Sequence, residues 1–123
     1  MRMNASTDLG QICIQIHPSR APGLDIDRLA QATEAIARAT EGIRGFELVA
    51  GEDEGAFVNV VMASEDPLVS WQRLRPALLE SPEFGVVLKA ASLWLCTGEE
   101  GWDDCLLLYH YDPAVEVDDR ARG

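Results

Sequence analysis

Ser92–Pro113 reads SLWLCTGEEGWDDCLLLYHYDP. Two apolar runs, Leu93–Cys96 and Cys105–Tyr111, flank an acidic connector that carries glycine, the sequence pattern of a β-hairpin. The connector holds Glu99, Glu100, Asp103 and Asp104 around Trp102, and no lysine or arginine occurs between Lys89 and Arg120. A regular hairpin with an even-length connector sets Trp94, Cys96, Cys105, Leu107, Tyr109 and Tyr111 on one face. Leu93, Leu95, Leu106, Leu108 and His110 then face the other way, toward whatever covers the sheet. The rest of the chain reads as a scaffold that buries one face of this hairpin and holds up its charged tip.

Upstream, Gln11–His17 (QICIQIH) alternates with period two, Ile12, Ile14 and Ile16 against Gln11, Cys13, Gln15 and His17, which predicts a half-buried strand. Asp25 or Asp27 caps a helix whose buried stripe runs Ile26, Leu29, Ala30, Thr33, Ile36, Ala37 and Thr40, stopped near Gly42. Phe46–Ala50 and Ala56–Ala63 form two strands around the acidic turn GEDEG. Asp66-Pro67 opens a second helix with Leu68, Trp71, Leu74 and Leu78 inward; Pro76 interrupts it, and Ser81-Pro82 restarts it as far as Ala91.

The order is β, α, β, β, α, β with one further strand. It predicts an α+β fold: a ferredoxin-like βαββαβ sandwich with an added C-terminal edge strand and two helices on one face of an antiparallel sheet. One domain spans residues 1–123, with residues 1–8 and 114–123 expected to be poorly ordered polar tails. In this topology Gln11–His17 is the central strand. The tip of the last hairpin shares one rim with Asp8, Glu65 and Asp66, while Glu52, Asp53 and Glu54 lie at the opposite end.

Composition narrows the function. A formal charge of −11, from 21 acidic and 10 basic residues, repels nucleic acid and anionic lipid and suits a cationic protein partner. The N-terminus has no apolar signal region and no run approaches a bilayer span, so a cytoplasmic location with no membrane contact is expected. Cys13, Cys96 and Cys105 lack metal-binding spacing; Cys96 and Cys105 fall opposite each other in the expected register, yet a reducing compartment keeps them as thiols. No nucleophile, phosphate-loop or dinucleotide motif occurs, and the two histidines, His17 and His110, are expected on opposite sides of the sheet. The expectation is therefore a non-enzymatic protein without metal or cofactor.

The partner-binding set read from the rim is Glu99, Glu100, Trp102, Asp103, Asp104, Asp8 and Glu65. Trp102 supplies the aromatic anchor that interface hot spots favour. A second contact surface is expected on the outer sheet face, through Trp94, Tyr109, Tyr111, His17 and Phe57, covered by a second copy or by a partner. With GWDDCLLLYHYDP at Gly101–Pro113, its size and its charge, the chain resembles the small acidic immunity proteins of bacterial toxin–immunity pairs. That resemblance implies an inhibitor that blocks a toxin's active-site or substrate surface, often with acidic groups against a basic, nucleic-acid-binding face. It carries no residue-by-residue roles. The alternative is a homodimeric ferredoxin-like enzyme or small-ligand binder with a pocket on the aromatic sheet face.

Overall fold

A computed structural model describes residues 9–52 and 55–121. The chain forms an α+β structure with five strands: β1 (Gly10–Ile16), β2 (Glu47–Glu52), β3 (Ala56–Ser64), β4 (Ser92–Gly98) and β5 (Gly101–Tyr109). They make one antiparallel sheet in the order β2-β3-β1-β4-β5. Among the described residues three α-helices, not two, accompany it: α1 (Ile26–Ala39), α2 (Pro67–Leu78) and α3 (Gly85–Ala91). The helical stretch divides, but not at Pro76: α2 runs through that proline to Leu78, and the break falls between Leu79 and Phe84, around Ser81-Pro82.

Local chemistry sets the helix starts. The Asp25 carboxylate accepts from the Arg28 N–H at 3.1 Å, and Asp66 accepts from the Val69 N–H at 3.3 Å ahead of Pro67. Such caps satisfy backbone donors that the first turn leaves free. Ser64 and Ser70, both buried, share a hydroxyl hydrogen bond of 2.8 Å that ties the end of β3 to α2.

Core and register agree along β1. Ile12 pairs with Met62 and Cys96, and Ile14 with Val60 and Trp94, so all of these face the helices. There they join Leu29, Trp71, Leu74, Leu78 and Leu88 in one buried cluster. Trp94 is 0% exposed and stands edge-on to Trp71, ring centroids 5.2 Å apart. This corrects the face assignment of the last hairpin. Trp94 and Cys96 lie in the core, while Leu93 and Leu95 are half-buried on the outer face.

The reason is a bulge. Gly98 faces Gly101, but Thr97 faces Cys105, so Trp102, Asp103 and Asp104 are extra residues on β5. An odd number of extra residues flips every side chain beyond them to the other face. A second irregularity beside Leu108 lets both Leu108 and Tyr109 turn toward the helices, the Tyr109 hydroxyl donating to the Lys89 carbonyl at 2.7 Å. Cys96 is therefore opposite Leu106, Cys105 is exposed, and all three cysteines are free thiols.

The C-terminal segment also departs from expectation. Its hydropathy offers no packing signal, yet Ala121 is buried and its carbonyl accepts from the Trp71 indole N–H at 2.9 Å. Asp118 donates its N–H to the Leu107 carbonyl at 2.8 Å, holding the segment along β5. Among the described residues no helix is long and apolar enough to cross a membrane.

Candidate functional site

The antiparallel order brings the start of β1, the end of β3 and the β4–β5 turn to one end of the sheet: Gly10 pairs with Ser64, and the Gln11 N–H donates to Thr97 Oγ1 at 2.9 Å. A groove of about 1000 Å³ opens there. Pro67, Leu68 and Leu106 give it an apolar lining; Glu65, Asp66, Glu99 and Trp102 line it with charge and an indole, and Arg120 enters from the C-terminal segment.

The turn that forms one lip is short. Glu99 and Glu100 alone connect β4 to β5, followed by Gly101 at φ 70°, a left-handed conformation suited to a bulge glycine. Gly98 is equally constrained, because any side chain there would collide with Asp104. Trp102 belongs to β5 rather than to the turn. Its indole N–H donates to Gln11 Oε1 at 2.8 Å while the side chain stays 44% exposed. The ring thus leans across the sheet end and still offers a face to solvent.

The predicted partner-binding residues divide into groups. Glu99, Glu100 and Asp103 are exposed carboxylates at the tip. Asp104 is half-buried in the bulge. Glu65 borders the groove but is ion-paired with Arg44, so it brings less free charge than its position suggests. Asp66 combines groove lining with its role as helix cap. Asp8, Asp53 and Glu54 lie outside the described residues.

Two cations at this end of the sheet, Arg44 and Arg120, are not foreshadowed by the sequence pattern. Arg120 donates through Nε to Asp118 Oδ1 at 3.0 Å. Its side-chain and backbone bonds hold the Asp118 carboxyl below the usual carboxylate range. The Arg120 guanidinium is in turn held more firmly protonated by Asp118, with Asp104 adding a smaller attraction. The groove already accommodates one guanidinium of its own chain. No local signal places these cations at the sheet end, since Arg44 is distant in sequence from Glu65, and Arg120, though paired with its near neighbour Asp118, reaches the groove from the C-terminal segment.

The outer-face set disperses. Trp94 is in the core and Tyr109 on the helix side. Phe57 remains on the outer face, where its ring occupies the space above Gly51 that a side chain would fill. His17 and Tyr111 lie past the strand ends, ring centroids 5.7 Å apart, with the Arg20 guanidinium 3.9 Å over the Tyr111 ring. His110 stacks on the same tyrosine at 4.4 Å, so the two histidines share one cluster instead of opposing faces. Burial, then the charges of Arg20 and His110, lower the His17 pKa. What remains at the centre of the outer face is aliphatic: Val61, Leu95 and Leu107 around a buried Cys13, whose thiol burial pushes up to about 11. Burial likewise raises Cys96 to about 11.

Among the described residues no group of three or more His, Cys, Asp or Glu side chains is arranged to hold a metal ion. No protein-family model matches the chain, and neither a curated protein nor a solved structure matches it.

Proposed function

We propose that this chain is a non-enzymatic acidic binding protein that engages a basic protein through the groove at the β4–β5 end of the sheet. In this reading it is an immunity protein that covers the active-site or substrate surface of a cognate bacterial toxin. The fold is read as a ferredoxin-like sandwich whose β5 is an added edge strand beyond β4. The supporting observation is one juxtaposition: exposed Glu99, Glu100 and Asp103 stand beside a half-exposed Trp102 at the mouth of a groove lined by Asp66 and Glu99.

The chemistry divides between charge and burial. Carboxylates at a rim speed encounter with a cationic partner more than they tighten the final complex. An indole that is already held by Gln11 gives up little conformational freedom when its exposed face is covered. Apolar lining from Pro67, Leu68 and Leu106 suits the aliphatic stem of an arginine or lysine, whose head then meets the acids. Less supports the alternative of a ligand pocket on an aromatic sheet face, because Trp94 and Tyr109 turn toward the helices and Phe57 is left on the outer face.

The test is to sequence the genes adjoining that of this chain and to produce in cells the toxin domain that the proposal expects one of them to encode; absence of such a gene rejects the proposal. Cells producing that domain survive with the native chain and die with E99K/E100K/D103K, whose melting temperature matches native. Survival with the charge-reversed variant rejects the proposal.

A further inference from the structure

The two edges of the sheet are finished differently. Along β5 the C-terminal segment takes the Leu107 carbonyl, and two irregularities interrupt the strand. β2 has β3 on one side and, among the described residues, no strand on the other. Alternate residues of an antiparallel edge strand aim their N–H and C=O groups away from the sheet, where another strand can take them.

The helical layer also stops short of β2. Leu48 pairs with Val60 and so lies on the helix side, yet it is 45% exposed; Val49, on the other face, is 43% exposed. Apolar side chains exposed on both faces of an open edge form the kind of surface that proteins usually guard.

Charge decides what fits. Twofold antiparallel pairing of Glu47–Glu52 (ELVAGE) with itself sets Glu47 opposite Glu52 at both ends. Like charges directly opposite are destabilising, and each copy carries a formal −11. A cationic strand reverses the sign of both end contacts. Arg44, on the lead-in to β2, is held by Glu65 and does not change this balance.

We propose that β2 accepts an extended segment of a basic protein as a sixth strand. The segment carries lysine or arginine opposite Glu47 and opposite Glu52, at the two ends of a six-residue stretch. Apolar residues lie opposite Leu48 and Val49. This site is independent of the groove reading, since β2 and β5 are opposite edges, roughly 19 Å apart at ordinary strand spacing.

The probe is acetyl-Lys-Val-Thr-Val-Ile-Lys-amide, titrated into the full chain and followed by amide NMR shifts. Saturable shifts in β2 and the facing residues of β3 are expected. The same peptide N-methylated at alternate residues cannot complete a ladder and is expected to leave β2 unshifted. E47K/E52K, altered only at exposed positions, weakens the lysine peptide about tenfold and gains binding of its glutamate-ended counterpart. Equal binding of the N-methylated peptide, or equal affinity of the variant, overturns the proposal. Concentration-dependent β2 shifts without peptide assign the edge to a second copy and also overturn it. Shifts confined to Thr97–Cys105 overturn it while leaving the groove reading intact.

Discussion

Replacing Trp94 by alanine is the sharpest test of how the last hairpin is set into the sheet. Trp94 is 0% exposed, packs edge-on against Trp71, and directs its indole N–H to Ser92 Oγ at 3.2 Å. Truncating a buried tryptophan costs about 3–5 kcal/mol, part of it the aromatic pair itself. At about 2.1 cal/mol/K per residue, 123 residues give an unfolding entropy of about 0.26 kcal/mol/K. The melting temperature should therefore fall by roughly 12–19 °C. Leu95→Ala, at a half-buried position on the outer face, should cost only about 1 kcal/mol, or roughly 4 °C. Circular dichroism melts and urea titrations of both variants supply the comparison. A larger loss from Leu95→Ala than from Trp94→Ala would refute the observed register and restore the regular hairpin.

Thiol chemistry offers a second check. With pKa values of about 11, Cys13 and Cys96 present on the order of one thiolate in a thousand at pH 8, and both are buried. Mass spectrometry after brief iodoacetamide treatment of the folded protein should find Cys105 alkylated well ahead of both; equal labelling of the three contradicts the burial pattern. Because folding lowers the His17 pKa below its unfolded value, the unfolded chain binds the proton more readily. This contribution to stability is full above about pH 6.5 and falls as the pH drops toward the folded pKa. Melting temperatures at pH 7.5 and pH 5.5 should thus drop more for native protein than for His17→Gln, and identical drops would show that the cluster around Tyr111 does not perturb His17.

Much of this structure is written locally. The alternation of Ile12, Ile14 and Ile16 is visible without any structure because a strand with one buried face must repeat every second residue. Asp25, Asp66 and Pro67 likewise announce helix starts, since capping chemistry depends on near neighbours. The sheet-end location of Glu65 and Glu99 follows from element order once the strands are antiparallel. What could not be read depends on small differences in backbone geometry or on distant contacts. An apolar run in which Leu93, Trp94, Leu95 and Cys96 are all hydrophobic has no intrinsic inner face, so a bulge at Trp102–Asp104 decides it. Ala121 sits in an acidic, weakly apolar segment and is buried only because the Trp71 indole lies within reach of its carbonyl. The cations at the rim, Arg44 on Glu65 and Arg120 in the groove lining, reach it from elsewhere in the chain.

We propose that the rim is where this chain meets positive charge. It is tested most directly by adding an arginine-rich decapeptide to isotope-labelled protein and mapping amide shifts at low and at physiological salt. Shifts should concentrate at Gly10–Gln11, Glu65–Leu68 and Thr97–Cys105, including the Trp102 indole, with affinity falling as salt shortens the Debye length to about 8 Å. In E99K/E100K/D103K those rim shifts should vanish while the rest of the spectrum stays folded. Shifts spread evenly over the acidic surface, or rim shifts that persist in the charge-reversed variant, would contradict it.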